Sequence, residues 1–248
     1  MNEKAHFIDR VSREMEQDFQ ARDVPPRDAL ARACRILASE GHESGLAGQV
    51  TARGEQQDTW WTLQFGYGFE EATPDRMVLV DEDLKPLQGG RPNPGTRFHV
   101  WIYRQRPEVN AIIHTHAPYA SALAATGQPL KTIHMDSAML HGTAHLAEWP
   151  GVPVADDEGR IISAALGGAR TILLANHGLL AAGSSVEQAA YLAVFFERAA
   201  RMQLRAMAAG GFEEVKPELA EEACRFLLQP SIVGATFRYW VRTKVIGL

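Results

Sequence analysis

The chain has 248 residues, of which 46% are hydrophobic and 22% charged, and its formal net charge at pH 7 is -5. A chain of this length can bury a substantial core, and this composition is that of an ordinary globular protein rather than a disordered one. Lysine and arginine are dispersed along the chain and form no basic stripe, which argues against nucleic acid as a partner.

Cysteine content and hydropathy indicate the compartment in which the protein works. The two cysteines, Cys34 and Cys224, lie in helical patterns and form neither a disulfide framework nor a cysteine metal site, which favours a reducing compartment. No stretch approaches the roughly 18 apolar residues that a membrane span needs, and the first residues lack an apolar signal-peptide core. We therefore expect a soluble, unprocessed, cytoplasmic protein without a membrane partner.

The first half of the chain predicts helices followed by strands. An apolar residue recurs every four positions near the start and indicates an amphipathic helix: Phe7, Val11, Met15 and Phe19. Pro25 and Pro26 open a second helix, which Gly41 closes. Short β-like runs, separated by Gly, Pro and Asp, then indicate an antiparallel meander over residues 49–53, 60–64 and 77–80.

From residue 97 onward the pattern alternates between helix and strand. Helices are predicted over 97–106, 118–125, 157–166 and 186–207, and buried strands over 111–113 and 171–175. A Gly-containing break at 208–211 precedes apolar stretches at 220–228 and 232–245, which should pack on the domain or on a neighbouring subunit. We expect residues 1–248 to form a single domain with a C-terminal helical segment at about 212–248, in which Tyr239 and Trp240 anchor the last helix in the core.

Three histidines lie at the ends of the two buried strands. His114 and His116 follow the run 111–113, and residues two apart on a strand point to the same face. His177 follows the run 171–175, and Gly178 after it allows the backbone to come close to a bound group. A single histidine at a strand end is more often a hydrogen-bonded core or surface residue than a ligand. Three together predict an all-nitrogen site for a divalent metal.

The segments around these histidines resemble the class II aldolase and adducin family. His-Thr-His after one strand and Asn-His-Gly after another, at 114–116 and 176–178, match that family in sequence and spacing. Gly48 to Arg53 stands where the family has Gly-Asn-(Ile/Leu)-Ser-x-Arg. Residues 106–110 and 196–203 are similar to its Arg-Pro-Asp-Val and Leu-Glu-Arg-Ala-x-x-x-Gln segments. The resemblance covers about residues 25 to 207.

The resemblance implies a fold, a cofactor and an assembly. The fold would be a three-layer α/β/α domain with a central, mainly antiparallel sheet and a metal at one edge of it. His114, His116 and His177 would hold the divalent ion, with zinc first and manganese, cobalt or iron as alternatives. Family members commonly form homotetramers with sites at subunit interfaces, where C-terminal aromatic residues reach a neighbouring site.

The chain departs from the sugar-phosphate members of the family at two segments. It has Phe-Gly-Tyr-Gly at 65–68 in place of a Thr-Pro-Ser-Gly turn, and the expected catalytic glutamate is replaced by Gly95. The phosphate-binding hydroxyls are mostly absent, so a phosphorylated sugar is not the expected substrate. Proton abstraction would then need a metal-bound hydroxide, a tyrosine such as Tyr67 or Tyr119, or another histidine. Decarboxylation needs no base for carbon deprotonation and fits these residues better.

Several further residues are candidates for catalysis or substrate binding. Tyr119 and His134 are candidate acids, and the predicted substrate-binding residues are Gln49, Tyr67, Arg97 and His141. The family resemblance implies that the stretch 133–142 crosses above the metal and lines the pocket, although its histidines could equally be exposed and without a function. Arg97 could bind a substrate carboxylate through its planar guanidinium or be a solvated charge at a helix start.

Three classes of function follow. The first is a metal-dependent carbon-carbon lyase, decarboxylase or aldolase, acting on a small unphosphorylated carboxylated or 2-oxo acid. Aromatic residues near the candidate pocket, Tyr67, Phe69 and Tyr119, suggest an aromatic acid. The second is a non-heme iron oxygenase at the same site, since three neutral ligands can hold ferrous iron with open positions. The third is a non-catalytic binding module of the adducin kind.

Overall fold

An eight-stranded sheet runs through the residues that the computed structural model describes, which are 3–19, 24–42 and 44–245. The strands are β1 (Gln49–Arg53), β2 (Trp60–Leu63), β3 (Met77–Val80), β4 (Pro86–Gln88), β5 (Ala111–Thr115), β6 (Ala144–Leu146), β7 (Thr171–Leu174) and β8 (Gly178–Gly183). Their order across the sheet is β4-β3-β2-β1-β5-β8-β7-β6. Within the described ranges every pair is antiparallel except β6 with β7, so the predicted mainly antiparallel sheet is confirmed.

The helices follow the predicted order. They are α1 (Glu3–Asp18), α2 (Pro26–Ser39), α3 (Arg97–Gln105), α4 (Pro118–Ala125), α5 (Asp156–Leu166), α6 (Val186–Ala208), α7 (Pro217–Leu227) and α8 (Pro230–Lys244). Each predicted helix is present and its bounds are close to those expected. None of the helices in the described part of the chain is long and apolar enough to cross a membrane.

The sheet register places the first histidine opposite the segment that resembles the family's Gly-Asn loop. Gln49 of β1 faces His114 of β5, and His114 faces Leu180 of β8 on its other side. Strand β5 is therefore central, with its main chain paired on both edges. The end of this strand is a rigid base for side chains that must keep a fixed position.

Hydrophobic residues divide into two clusters, and alternate positions of the central strand contribute to different ones. Ala111 and Ile113 of β5 join the cluster that contains residues of α2, α4 and α6, whereas Ile112 joins the cluster that contains residues of α3 and α5. This alternation follows from the two-residue period of a strand. The mixed α/β fold is confirmed, and the number of layers stays a prediction.

The last helix, α8, packs on the long helix α6. Trp240 of α8 is 2% exposed and its ring lies 6.2 Å from Tyr191 and 6.1 Å from Phe195, measured between centroids, which confirms it as a core anchor. The same expectation for Tyr239 is wrong, because that side chain is 51% exposed. Successive residues of a helix point in different directions, so only one of this adjacent pair faces α6.

Helix α1 leaves part of its apolar face exposed, whereas the two cysteines are buried. The helix forms, but its predicted apolar stripe is not fully covered, since Phe7 is 55% and Phe19 46% exposed. Cys34 and Cys224 are buried free thiols. Burial raises the pKa of both thiols, so they are unreactive small apolar groups in the packing of α2 and α7.

Candidate metal centre

Three imidazole rings converge where β5 ends and where the chain turns from β7 into β8. The ring centroids lie 5.0 Å apart for His114 and His116, 4.7 Å for His114 and His177, and 4.6 Å for His116 and His177. One ring nitrogen from each histidine can be chosen so that all three atoms lie within 4.8 Å of one another. The structure thus brings together the three histidines that the sequence predicted as ligands.

The tight turn between β7 and β8 places His177 against the end of β5. Leu174 pairs with Gly178, so only three residues form the turn, and Asn176 at its middle has a φ of 52°. Asparagine is one of the few residues that adopt this left-handed conformation readily. A Cβ atom at Gly178 would overlap the carbonyl oxygen of Thr115, so glycine is needed for the close approach of the two strands.

Hydrogen bonding fixes which nitrogen of His114 faces the centre. Its Nδ1 donates to the carbonyl oxygen of Leu179 at 2.8 Å, which leaves the Nε2 lone pair free. That Nε2 lies 3.1 Å from Nε2 of His116. Two nitrogens bound at about 2.0–2.1 Å to one ion, at angles of about 90–110°, lie about 2.8–3.4 Å apart. The separation of this pair therefore matches that of two ligands of a common ion.

Burial keeps the three imidazoles neutral near pH 7. Desolvation lowers the pKa of His177 to about 4, and it lowers the pKa of His116 as well. The pKa of His114 lies well below its ordinary value, first because of burial and then because of the neighbouring His177 and His116. Neutral imidazole is the form that binds a metal, so the donor set is ready at physiological pH.

A cavity of about 470 Å³ opens above the three histidines. Gln49 and Ser44 line it, and the Ser44 hydroxyl accepts a hydrogen bond from the backbone N–H of His116 at 2.8 Å. Much of the remaining wall is apolar and comes from four separate segments of the chain: Leu46, Phe65, Pro94 and Val154. Such a wall suits a substrate with an apolar or aromatic body and one polar end.

The position of the missing family glutamate is taken up by an amide. A Cβ atom at Gly95 would lie 2.8 Å from Nε2 of Gln49 and 3.2 Å from Oδ1 of Asn93. The Oε1 atom of Gln49 is buried without a hydrogen-bond partner among the described residues. The Gln49 side chain thus fills the space beside Gly95 and presents a neutral polar group at the cavity.

Two buried histidines near the centre were not predicted as site residues. Nδ1 of His99 is hydrogen-bonded at 2.9 Å to the hydroxyl of Thr51, and Phe98 beside it packs edge-on against His114. Nδ1 of His42 is hydrogen-bonded at 2.9 Å to the hydroxyl of Thr115. Burial lowers the pKa of both imidazoles to about 3. For His99 the sequence carried a signal, its place four residues after Gly95; for His42 it carried none.

The two predicted acids lie outside this cavity in their own chain. Tyr119, on the first turn of α4, is 38% exposed, and its ring packs near the guanidinium of Arg201. His134 precedes a short 3-10 helix, Met135–Leu140, and lines a different cavity together with residues of α1 and α7. Neither residue is among those that line the cavity above His114.

Of the four predicted substrate-binding residues, one lines the cavity above the histidines. Gln49 lines the cavity, whereas Arg97 lines a neighbouring one and is held by Asp156, whose Oδ1 accepts from its Nε at 2.9 Å. The ring of Tyr67 lies under the guanidinium of Arg76 at 4.3 Å. His141 closes the short helix, and its Nδ1 lies 3.5 Å from the hydroxyl of Thr132.

Two residues of the segment 196–203 support the loops around the centre. The buried carboxylate of Glu197 accepts hydrogen bonds from the backbone N–H groups of Tyr119 and Ala120, both at 2.8 Å, at the start of α4. Gln203 accepts from the N–H of Lys131 at 2.8 Å and donates to the carbonyl of Pro129 at 2.9 Å. These contacts fix the chain that follows His116.

The fold and the histidine centre define a class II aldolase-type domain. Residues 28–204 match the model of the class II aldolase and adducin N-terminal domain, which is more than half of the chain, so the chain belongs to this family. A solved structure of L-fuculose 1-phosphate aldolase from Glaciozyma antarctica PI12 is 29% identical with a TM-score of 0.78, and the alignment covers 89% of this chain and 90% of that one.

Two relatives are similar in sequence and carry other activities in their names. Decarboxylase NovR from Streptomyces niveus is 34% identical over 77% of this chain and 73% of its own length. A 4-hydroxy-3-prenylphenylpyruvate oxygenase/4-hydroxy-3-prenylbenzoate synthase from Streptomyces roseochromogenus subsp. oscitans is 33% identical over 77% of this chain and 71% of its own length. The family therefore includes aldolases, a decarboxylase and an oxygenase among the relatives of this chain.

Proposed function

We propose that this protein is a metal-dependent carbon-carbon lyase, and a decarboxylase in the first instance, that acts on an unphosphorylated aromatic 2-oxo or hydroxy acid. The observation that carries the proposal is the histidine centre beside Gly95 and Gln49, where a neutral amide stands in place of the family's carboxylate. The apolar cavity wall and the similarity to decarboxylase NovR support an aromatic acid as the substrate class.

His114, His116 and His177 are the proposed ligands of one divalent ion. Their ring nitrogens converge, burial favours their neutral form, and the Leu179 carbonyl orients His114. Three imidazoles suit zinc first, and manganese, cobalt or iron are alternatives. When bound, the ion would supply Lewis-acid polarisation of a substrate oxygen.

The side chains around the centre favour bond cleavage without prior proton abstraction. Among the described residues that line the cavity above the histidines, none is a carboxylate. Loss of carbon dioxide leaves the electron pair of the broken carbon-carbon bond on the substrate, so the protein needs to supply a proton rather than remove one. The Gln49 amide can orient the substrate by hydrogen bonding, and Tyr67, Arg97 and His141 remain candidates for further substrate contacts.

Which residue donates the proton depends on whether several copies of the chain assemble. Tyr119 and His134 lie outside the cavity of their own chain, so either could serve as the acid only if a neighbouring copy brought it there. We propose a homotetramer with sites at subunit interfaces and one domain per chain over 1–248, as family resemblance implies. The exposed Tyr239 on α8 is available for such a contact.

A second candidate function is a non-heme iron oxygenase at the same centre. The relative whose name includes 4-hydroxy-3-prenylphenylpyruvate oxygenase favours it, because it is as similar to this chain as the decarboxylase is. Three neutral imidazoles can hold ferrous iron with open positions. A non-catalytic adducin-like module is a third, but it would leave three converging imidazoles without a function.

The test is turnover of aromatic and aliphatic 2-oxo and hydroxy acids with and without oxygen, following carbon dioxide, aldehyde and oxygen. We expect carbon dioxide or aldehyde release that is independent of oxygen and is lost in His116→Ala. His6→Ala, which removes an exposed histidine of α1, is the matched control and should keep the activity. Oxygen uptake that requires iron would establish the oxygenase instead, and absence of metal and of turnover would leave the binding module.

A further inference from the structure

A second cavity lies beside the cavity of the histidine centre. It has a volume of about 740 Å³, and Phe65, Pro94 and Val154 line both cavities. Because three residues line both cavities, the two cavities lie next to each other. The first cavity ends on three imidazoles and the shared residues are apolar, so the two cavities can accept the apolar body of a molecule whose polar head lies at the histidines.

Two arginines line the second cavity, and only one of them is paired with carboxylates. Arg97 is compensated, because Asp156 accepts from its Nε at 2.9 Å and Asp83 lies 3.6 Å from its Nη1. The remaining hydrogen bond of that guanidinium goes to the carbonyl oxygen of Glu82 at 2.8 Å. Arg91, which also lines the cavity, makes no ion pair or side-chain hydrogen bond with any residue in the described ranges.

Asp83 is the one carboxylate among the described residues that line this second cavity, and it lies beside Arg97. The net charge that faces the cavity is therefore the positive charge of Arg91. A guanidinium without a protein partner keeps all five of its N–H donors for water or a ligand. Its planar shape suits bidentate recognition of a carboxylate.

The turn between β3 and β4, whose residues Asp83 and Leu84 line the second cavity, is fixed by hydrogen bonds. The Asp81 carboxylate accepts hydrogen bonds from the backbone N–H groups of Asp83 at 3.0 Å and Lys85 at 2.9 Å. Between them Leu84 has a φ of 60°, an unfavourable conformation for a leucine, and its side chain packs against the core cluster of α3 and α5. The turn thus gives a defined shape to the part of the cavity that it lines.

We propose that the second cavity is a distal subsite of the active site, in which Arg91 binds a carboxylate at the far end of an apolar substrate. The inference extends the proposed function, since it assigns the substrate a second anionic end in addition to the polar head at the histidines. Phe65 and Val154 would contact the apolar body between the two ends.

The test compares binding of biphenyl-4-carboxylate and biphenyl-4-carboxamide to the full-length protein as isolated, by calorimetric titration. The two probes share the apolar body, lack a chelating 2-oxo or hydroxy acid head, and differ in the charge at one end. We expect the carboxylate to bind about fivefold more tightly than the carboxamide, as for a partly exposed charged pair. Arg91→Gln should reduce this ratio to about one by removing the charge.

Arg205→Gln is the matched control. Arg205 is an exposed arginine of α6 that lines neither cavity, so its replacement should leave the fivefold ratio unchanged. Equal binding of the two probes to the unaltered protein, no binding of either, or a preference that survives in Arg91→Gln would overturn the proposal. Because the readout is binding of probes that are not turned over, failure here is separate from failure of the lyase assay.

Discussion

At the scale of single residues, Gln49 and Gly95 distinguish this centre from that of the sugar-phosphate enzymes that the sequence resembles. The glutamine is one methylene longer than the asparagine of the family loop, and the glycine has no side chain. The closeness of the Gln49 amide to Gly95 shows that the two departures are complementary in volume. A side chain can be restored at position 95 only if Gln49 gives way.

This complementarity predicts a stability coupling between the two positions. Gly95→Glu alone should lower the free energy of unfolding by about 0.5–1.5 kcal/mol, because Nε2 of Gln49, 2.8 Å from the new Cβ, must move aside and give up its hydrogen bond to the carbonyl oxygen of Ala47. In the double variant Gln49→Asn, Gly95→Glu, the shorter amide should recover part of that loss. Urea unfolding of the four proteins in this cycle measures the coupling, and strictly additive effects would contradict it.

Sequence patterns predicted which three histidines come together, but not the side chains that surround them. His114 and His116 could be placed on one face from the two-residue period of a strand, and His177 from the end of a second buried run. The partner of Arg97 could not be predicted, because Asp156 is 59 positions away and only the packing of α3 against α5 brings it near. Nor does a pattern show that Gln49 fills the space at Gly95, since that contact depends on side-chain length across two elements.

At the scale of elements, the turn from β7 to β8 determines where His177, the third proposed ligand, lies. Gly178 opens β8 directly after His177, and the carbonyl of Thr115 on β5 occupies the space that a side chain there would need. Any residue other than glycine must push β8 away from β5. Since His114 lies on β5 and its partner carbonyl, Leu179, lies on β8, the displacement would also disturb the imidazole that this carbonyl orients.

We therefore predict that Gly178→Ala lowers the free energy of unfolding by about 2 kcal/mol or more and weakens metal binding. The contact is with backbone, which cannot move aside as a flexible side chain can. Gly168→Ala is the matched control, because a Cβ there has no atom within 4 Å and its φ is not positive. That variant should stay within about 0.5 kcal/mol of the parent.

Chemical denaturation and metal titration of the two variants decide between these outcomes. Equal losses in the two proteins would contradict a specific role for the close approach at Gly178. A loss of stability in Gly178→Ala with unchanged metal affinity would show that the turn matters for folding and not for the position of the ligands.

The elements that the sequence did not predict share weak strand signals. Strand β8, Gly178–Gly183, is bounded by glycines and contains alanines, which have low strand propensity. Strands β4 and β6 are three residues long, and β4 contains a proline at the edge of the sheet. Strand β8 is held by pairing on both sides with β5 and β7, a tertiary effect that local propensity does not report.

At the scale of the whole molecule, several buried histidines are kept neutral. Burial lowers the pKa to about 3 for His42 and His99 and to about 4 for His177. The unfolded chain would bind protons on these residues near pH 6.5, whereas the folded protein would not. The unfolded state therefore takes up more protons in this range, and folding becomes less favourable as the pH falls from about 6.5 toward 4.

The free energy of unfolding should consequently fall between pH 7.5 and pH 5.5, by about 1.4 kcal/mol for each such imidazole. Urea titrations at the two pH values in the presence of a chelator measure the effect. Replacing His99 by Gln should reduce this fall in the free energy of unfolding by about 1.4 kcal/mol, the share of one imidazole. Equal stability at the two pH values would contradict neutral burial.

The proposed function requires that the three converging histidines hold one metal ion. Elemental analysis of the purified protein, with His116→Ala and the control His6→Ala prepared alongside, tests it most directly. We predict close to one divalent ion per chain in the parent and in His6→Ala, and almost none in His116→Ala, with circular dichroism showing that all three proteins keep their fold. The same metal content in His116→Ala as in the parent, or no metal in any of the three after growth with zinc, manganese, cobalt and iron supplied, would contradict a metal centre at these histidines.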